Sequence, residues 1–425
     1  MTRNYLFLAL ALTLISNCYS QFTMDGEFRP RSEYRHGFGQ VIADSLEPGY
    51  GISTRLRLNL GYKMKSFNFY MSLQDVFVWG ENRQLKPEDS NNSFSVFEAW
   101  ADVKLSDHVT TKIGRQVLAY DDERILGGVG WAQQARNHDA LLFKYKNKHS
   151  FSADVGFAFN QDYTNAGGFA NSGNAYNTTG FFSYKTMQYL YLKNVWDNFS
   201  GSFLFLNNGF QNFKEDGSTQ DGISNLRTIG THLGYKNSWL DLQSNIFFQN
   251  GKRQGEINVK GAYLAGLEVK FKASKSISVG AGTEFISGND EGPGKTGAFF
   301  PLYGTNHKFN GLMDYFYVGN HANSVGLIDV HAGALFNFKK SSSLEIKGLY
   351  FSGETELPSG DKSLGTELDL VYSKSFDGYA IKAGYSQMFC SDGMYELKGV
   401  SKNSASDWQN WAWVMLVIKP KFIKG

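Results

Sequence analysis

The sequence predicts an all-β fold, a single antiparallel transmembrane barrel of about 18 strands. Apolar and polar residues alternate along most of the chain, which is the pattern of strands with one apolar face. Most alternating segments reach the roughly 9–11 residues that a tilted strand needs to cross a bilayer. Short and long connections also alternate along the chain, as they do in barrels with short periplasmic turns and long extracellular loops.

The composition agrees with such a fold and excludes several other classes of protein. The 425 residues include 46 Gly, only 7 Pro, and 23 Tyr, 35 Phe and 8 Trp. A chain with so much apolar surface to bury is not intrinsically disordered. The longest uncharged apolar stretch, at 5–15, is too short for a membrane-spanning helix. The net charge of +2 provides no attraction to nucleic acid.

Residues 1–20 have the pattern of a signal peptide. Arg3 precedes the apolar stretch, and small residues lead to an expected cleavage between Ser20 and Gln21. Residues 15–18 also resemble a lipoprotein cleavage box, although the residue before the cysteine fits that box poorly. The remainder, 21–425, has no linker or repeat and is predicted to be one barrel domain. It keeps a single cysteine, Cys390, so it has no internal disulfide.

The alternation places eighteen strands along the mature chain. In the segment 239–250, for example, apolar Leu240, Leu242, Ile246 and Phe248 alternate with polar residues. The predicted strands are 22–35, 51–63, 67–81, 92–105, 109–119, 138–146, 150–161, 186–197, 200–210, 225–236, 239–250, 257–272, 276–288, 329–338, 343–352, 364–374, 378–389 and 409–422. Counts of 16 or 20 stay open, with 312–319 as an additional candidate strand, and so does a soluble all-β protein. Trp79, Trp196, Trp239 and Trp411 near strand ends are typical of an interfacial girdle.

One connection is much longer than the others. The link at 289–328 contains the aromatic run 299–303 and further aromatics at Phe309 and 315–317, which a solvated loop does not need. Connections of this length usually have a function. We therefore predict that it folds inward and narrows or gates the pore. The alternative is a cap that packs on itself outside the barrel.

Three sequence segments carry a resemblance to a known family. Residues 113–124 read IGRQVLAYDDER and residues 136–140 read RNHDA, while 304–316 read GTNHKFNGLMDYF. These segments resemble the alginate-export family of outer-membrane barrels, and the similarity extends over the mature chain. The resemblance implies an eighteen-stranded barrel with an arginine-rich pore for an anionic uronate polymer. The predicted substrate-contacting residues from these segments are Arg115, Asp121, Arg124, Arg136 and Asp139.

Arginine is concentrated in the first third of the chain. Nine of the eleven arginines after the signal peptide lie between Arg29 and Arg136, whereas the lysines are spread throughout. Alternation places Arg29 and Arg31 on one face of the first strand and Arg55 and Arg57 on one face of the second. Charges on the lipid face are costly, so these side chains are expected in the lumen. An arginine fork matches a carboxylate, which predicts a track for anions. Arg–carboxylate pairs that only stiffen the wall are the equal alternative.

The same alternation predicts an inward Glu98 on the fourth strand. Arg115 is less clear, because strict alternation from Ile113 points it outward and a bulge at Gly114 is needed to turn it into the pore. The acidic run 121–123 is a weak candidate for Ca²⁺ at the rim, and a solvated charge run is favoured. His307, Asp314 and His321 share a loop without the spacing of a zinc site. No catalytic motif is present, so neither an enzyme nor a cofactor is predicted.

The sequence therefore predicts a passive channel in the outer membrane of a Gram-negative bacterium, in contact with outer-membrane lipid. The predicted solute is an anionic sugar or polysaccharide. A less selective porin for small acids is the first alternative, and a plugged structural or adhesive barrel is the second. A soluble carbohydrate-binding protein is the third. Periplasmic partners are undefined.

Overall fold

A computed structural model describes residues 21–82, 93–160, 184–214, 216, 219–339 and 341–424. The expected signal peptide and most of the predicted link at 162–185 lie outside these residues. The strands are β1 (Phe22–His36), β2 (Gly49–Lys63), β3 (Phe67–Val78), β4 (Ser95–Lys104), β5 (Val109–Gln116), β6 (His138–Lys146), β7 (Ser152–Phe159), β8 (Thr186–Trp196), β9 (Phe199–Phe213), β10 (Thr219–Lys236), β11 (Leu240–Lys252), β12 (Asn258–Lys272), β13 (Ile277–Ile286), β14 (Lys295–Thr296), β15 (Leu327–Phe338), β16 (Ser342–Ser352), β17 (Ser363–Ser375), β18 (Tyr379–Cys390), β19 (Gln409–Ile418) and β20 (Lys421–Ile423). Helix α1 is Val318–His321, helix α2 is Asp392–Lys398, and 3₁₀ turns lie at Gln254–Glu256, Asn306–Lys308 and Lys402–Ser404.

Eighteen of these strands form a closed antiparallel barrel. Consecutive strands pair along the chain, β13 pairs with β15, and β1 closes the wall by pairing with β19. The predicted barrel and its strand number are confirmed. The other two strands are short and are not counted among the eighteen. β14 lies parallel to the start of β12, and β20 pairs with the start of β1. The final strand ends at Ile418 rather than 422, because Pro420 lacks the N–H that continued pairing needs.

The two faces of the wall differ as the alternation requires. Most outward side chains of the central band are apolar and exposed, with 53% exposure at Ile113 and at Phe248, while inward polar residues such as Thr228 and Gln249 are almost completely buried. Among the described residues, no helix is long and apolar enough to cross a membrane. The girdle prediction is wrong for Trp411, which is fully buried inside the barrel against Phe38. The other three girdle tryptophans are exposed.

The buried apolar core lies inside the barrel rather than between two layers. Two long connections turn into the lumen. Inner loop A is residues 117–137, between β5 and β6, and inner loop B is residues 287–326, between β13 and β15. Inner loop B supplies Phe299, Phe300, Leu302, Met313 and Tyr315, all below 5% exposure. The predicted inward fold of 289–328 is confirmed, and 312–319 forms no strand because it belongs to this packed loop.

The long connections share one end of the barrel and the short turns share the other. We expect the long-loop end to face the cell exterior, since this is the arrangement of outer-membrane barrels. An epitope tag inserted within 162–185 should be labelled on intact cells, and a tag at 340–342 should be labelled only after permeabilisation. Surface labelling of the second tag would contradict this orientation.

Candidate functional site

The two inner loops bind each other across the lumen. The backbone N–H of Gly127 donates to the carbonyl of Tyr303 at 2.8 Å, and the N–H of Tyr303 donates to Ile125 at 3.1 Å. The Thr305 N–H also donates to the Glu123 carbonyl at 2.9 Å, which adds a third backbone bond between the two loops. Gly304 lies so close to Arg124 that a Cβ there would stand 2.3 Å from the Arg124 carbonyl oxygen. The loops therefore form one unit that occupies the lumen.

Arg124 joins both inner loops to the wall. Its guanidinium is almost fully buried and forms a two-point ion pair with Glu284 of β13, at 2.8 Å and 2.6 Å. The same group donates to the side-chain oxygens of Asn306 at 2.9 Å and Asn310 at 3.1 Å on inner loop B. Phe309 covers one face of the guanidinium, with its ring centre 4.5 Å away. Arg124 is thus a structural anchor with its donors occupied.

Three predicted pore arginines hold inner loop A against the wall. Arg29 donates to the carbonyl of Gly130 at 2.7 Å and to those of Trp131 and Ala132, both at 3.1 Å. Arg31 donates to the Trp131 carbonyl at 2.8 Å and stacks over its ring. Arg55 reaches the carbonyls of the same segment at 3.3–3.5 Å. These guanidinium groups satisfy backbone oxygens that would otherwise be buried without a donor.

Carboxylates complete this arginine cluster. Arg55 forms an ion pair with Glu27, whose Oε1 accepts bonds of 2.7 Å and 2.5 Å, and Arg31 pairs with Glu33 at 3.0 Å. Glu33 also pairs with Arg35 at 2.9 Å. The inward orientation predicted for these arginines is confirmed. Their geometry matches the wall-stiffening alternative, because most of their donors are taken by the protein.

Arg57 and Glu98 are inward residues with fewer contacts to inner loop A than Arg29, Arg31 and Arg55 have. Arg57 donates from Nε to Gln74 at 2.8 Å and lies over the Phe97 ring at 3.6 Å, while its Nη2 has no partner among the described residues. Glu98 accepts from the indole of Trp100 at 3.1 Å and from the Val117 N–H at 3.2 Å. Glu98 therefore also ties the wall to the first residue of inner loop A.

The acidic run 121–123 is bound within the protein and is not a solvated charge run. Asp121 accepts from Tyr191 at 2.7 Å, Lys193 at 3.0 Å and Ser202 at 2.6 Å. Asp122 accepts from Asn245 at 2.6 Å, and Glu123 accepts from the Gly128 N–H and the Thr305 hydroxyl. Within the described part of the chain, no group of His, Cys, Asp or Glu side chains could hold a metal ion.

Arg115 and Asp139 lie on the outer face, so their expected place in the pore is wrong. They face each other across β5 and β6 and form a two-point ion pair at 2.9 Å and 3.0 Å. Gly114 has a φ of +122°, but the pairing of β5 with both neighbours continues without a shift. Arg115 therefore keeps the face of the exposed Ile113. Without a register shift, the conformation of Gly114 does not turn the next side chain inward.

Arg136 is inside the barrel and links the two inner loops. Its Nη1 donates to the carbonyl of Gly304 at 3.2 Å, and its guanidinium lies 5.9 Å from the centre of the Tyr303 ring. Burial between the loops lowers the pKa of Arg136 from its usual value. Burial likewise raises the pKa of Tyr303. Both shifts reflect the exclusion of water where the loops meet.

Inner loop B is fastened to the opposite wall through carboxylates of β17. Glu367 accepts from the Met313 N–H at 2.9 Å, and Asp369 accepts from the Leu312 N–H at 3.4 Å. Gly311 passes directly over this pair with a φ of +88°, and a Cβ there would stand 2.5 Å from a Glu367 oxygen. Lys398 of α2 holds the other side of the loop by donating to the Tyr315 carbonyl at 2.6 Å. Burial lowers the pKa of Lys398 to about 8.

A cavity of about 1200 Å³ extends from the inner loops to the short turns near 236–240. Its wall includes Lys236, Lys270, Lys347 and Lys382, each from a different strand. Lys236 pairs with Asp241 at 2.6 Å and Lys270 approaches Glu268 at 3.6 Å. Neither Lys347 nor Lys382 forms an ion pair within the described residues. The cavity therefore contains cationic groups that are available to a solute.

Carboxylates also line this cavity, but most are bound to other groups of the protein. Glu284 is paired with Arg124, and Asp329 accepts from His331 at 3.0 Å and from Asn310 at 3.1 Å. Among the described residues that line the cavity, Lys272, Lys347, Lys382 and Glu345 form no ion pair or side-chain hydrogen bond, so its free charges are three cations and one carboxylate, although the total numbers of acidic and basic side chains are similar.

Solved structures share this architecture. OccAB4 of Acinetobacter baumannii is 14% identical, with a TM-score of 0.63, over 95% of this chain and 100% of that chain. OccK5 (OpdH) of Pseudomonas aeruginosa is 11% identical, with a TM-score of 0.61, over 95% and 99%. OpdQ of Pseudomonas aeruginosa is 14% identical, with a TM-score of 0.60, over 94% and 99%. The fold is that of the Occ and Opd proteins.

No family model matches the sequence, and no curated protein does. The structural matches support an outer-membrane type of barrel and do not support the alginate-export resemblance. At identities of 9–14% they establish the fold alone.

Sequence reasoning missed the groups that bind the inner loops and those that face the cavity. Gln133 accepts from Arg29 at 2.9 Å and donates to the Ser53 carbonyl at 3.0 Å, yet it stands in no recognisable motif. The sequence pattern does indicate that Lys270 and Lys347 point inward, because each lies next to apolar residues in an alternating strand segment. The inner-face lysines were overlooked because they are spread evenly along the sequence and meet only when the barrel closes.

Proposed function

We propose that this protein is a passive outer-membrane channel for small anionic solutes such as organic acids. The observation that carries the proposal is the lysine-lined cavity below the two inner loops, in which Lys347 and Lys382 have no ion-pair partner among the described residues. Rings of charged side chains give channels their charge preference. The shared fold with the Occ and Opd proteins supports a channel.

A small solute is favoured over a polysaccharide. The inner loops occupy the lumen and bind both walls through Arg124 and Glu367, so the barrel is not an open tube. The predicted arginine track is largely used to hold inner loop A, which removes most of the donors that a uronate polymer would need. Of the readings that the sequence left open, the porin for small acids therefore fits better than the alginate channel.

The charge preference can be measured with the lysines of the cavity. A unit charge about 7 Å from a passing ion contributes about 0.6 kcal/mol in water, so each lost lysine should lower the local anion concentration about threefold before screening. We expect the wild-type channel to prefer anions in a salt gradient. The variant K270Q/K347Q/K382Q should shift the reversal potential toward cation preference. The variant K65Q/K148Q/K275Q removes three exposed charges from the short turns and should shift it much less.

A wild-type channel that prefers cations would refute the proposal. Solute size can be tested by liposome swelling, in which small mono- and dicarboxylates should enter. Uronate oligomers of increasing length should become excluded, and rapid entry of long oligomers would instead favour the polysaccharide channel.

The arginines of β2 should separate into two roles. Arg57 has an unpartnered Nη2, so R57Q should shift the reversal potential and leave the conductance nearly unchanged. Arg55 binds Glu27 and three carbonyls of inner loop A, so R55Q should loosen that loop and make the single-channel current noisier. Identical effects of the two substitutions would show that Arg55 does not hold the loop.

A further inference from the structure

The outer face of β8–β11 carries a row of polar side chains directly beyond the apolar band. Gln188, Asn207, Arg227 and Asn250 are cross-strand partners of one another in this order. The next row toward the short turns is wholly apolar, with Leu190, Phe205, Ile229 and Phe248 in the same relation. Phe205, Ile229 and Phe248 are 37%, 42% and 53% exposed, so they face the lipid.

The position of this row corresponds to the lipid headgroups. On β11 the outward apolar residues run from Leu240, at the short-turn end, to Phe248. Eight residue steps span about 27 Å along a strand, or about 20 Å across the membrane at the usual tilt, which is close to the height of a barrel's apolar band. Asn250, with its cross-strand partner Arg227, lies two residues further, at the long-loop end of the band.

The charge in this row has no partner among the described residues. Arg227 is exposed and points outward, between buried Leu226 and Thr228, and it forms no ion pair or side-chain hydrogen bond among the described residues. Lys252 is exposed two residues beyond Asn250, which places it diagonally across from Arg227, at about 7–8 Å between backbones. The outward positions of β8, β9 and β11 include no acidic residue.

The neighbouring amides are ordered by contacts of their own. The Asn207 amide donates to the Gln188 oxygen at 2.8 Å and to the Asn225 oxygen at 3.0 Å. Arg115, an outward arginine that also lies near the long-loop end, differs because Asp139 neutralises it at 2.9 Å. Arg227 and Lys252 thus form an uncompensated cationic patch beside a fixed polar surface.

We infer that Arg227 and Lys252 bind the phosphate groups of an anionic glycolipid in the outer leaflet. A charge at the edge of the apolar band is costly unless an anion or water solvates it, and a lipid phosphate is the anion at that depth. An arginine fork gives two parallel bonds to a phosphate, and lysine adds a point charge. The inference uses the outer-membrane location and is independent of the solute that the pore passes.

The test is native mass spectrometry of the full-length barrel with diphosphorylated lipid A. The variant R227Q/K252Q should retain about thirtyfold less lipid, from the loss of two cations near an anionic surface. The control K148Q/K275Q removes two exposed charges at the opposite end and should retain lipid as the wild type does. With dephosphorylated lipid A, the difference between wild type and R227Q/K252Q should disappear.

Equal retention by the wild type and R227Q/K252Q would overturn the inference, and so would a difference that persists with dephosphorylated lipid. Inorganic phosphate at millimolar concentration should not displace the lipid, and complete displacement would identify a site for free anions instead. Normal conductance of R227Q/K252Q shows that the barrel is folded, and it separates this result from any failure of the proposed small-anion channel. If the double variant does not fold, R227Q and K252Q are scored singly by the same criteria.

Discussion

Replacing Arg124 by Gln should release the two inner loops from the wall and increase the conductance. The change removes the cation that neutralises Glu284 inside the barrel and breaks the contacts to Asn306 and Asn310. Breaking a buried ion pair by removing one partner costs about 3–5 kcal/mol, because the remaining charge is left unpaired. We expect R124Q to melt at a lower temperature and to show a larger, noisier single-channel current.

Two matched variants make this expectation specific. R124Q/E284Q replaces the ion pair with neutral amides and should recover much of the lost stability, because no buried charge is then unpaired. K308Q removes an exposed cation of inner loop B that donates to the Asp122 carbonyl at 2.8 Å, and such a change should cost about 1 kcal/mol or less. Unchanged melting and current in R124Q would show that Arg124 does not anchor the loops.

Deleting residues 295–318 should raise the conductance several-fold. This segment contains the buried aromatic residues of inner loop B and the backbone groups that bind Glu367. Barrels of 16–18 strands without such filling enclose an aqueous channel. The wall should survive the deletion, because its strands pair with each other and the uncovered polar side chains would be solvated by water in the widened lumen.

Single-channel recording of the deletion variant measures this effect, and retained heat-dependent gel migration verifies that the barrel is folded. A folded deletion variant with wild-type conductance would show that inner loop B does not limit the current. In that case inner loop A, held by Arg29, Arg31 and Arg55, would be the narrowest part of the pore.

Much of the wall could be derived from the sequence alone. Alternation at single-residue resolution assigned inward faces to Arg29, Arg31, Arg55, Arg57 and Glu98, and the structure confirms each of them. The physical reason applies to each strand independently. A bilayer accepts only apolar outward residues, and a strand alternates with a period of two, so each short segment carries its own orientation.

The binding partners of the inward side chains could not be predicted from this alternation. Arg29 meets Gln133 across 104 residues, and Arg124 meets Glu284 across 160. Their partners include backbone carbonyl oxygens. Every residue has one, so such partners cannot be recognised from the residue types in the sequence. Whether an arginine was a free binding group or a loop anchor depended on which segments entered the lumen.

Arg115 and Trp411 show the same division between local pattern and packing. Strict alternation pointed Arg115 outward, and only the pairing registers around Gly114 showed that no bulge altered this. The place of Trp411 near a strand end predicts a girdle position, but alternation and packing against Trp131 direct its side chain inward. The sequence by itself determined the barrel and most of its faces, because membrane solvation acts on each strand separately. The structure decided among the counts of 16, 18 and 20 strands that the alternation left open. Only the tertiary structure decided which polar groups remain free. The loops that enter the lumen accept hydrogen bonds from wall residues that are distant in the sequence, and these contacts determine which donors are occupied.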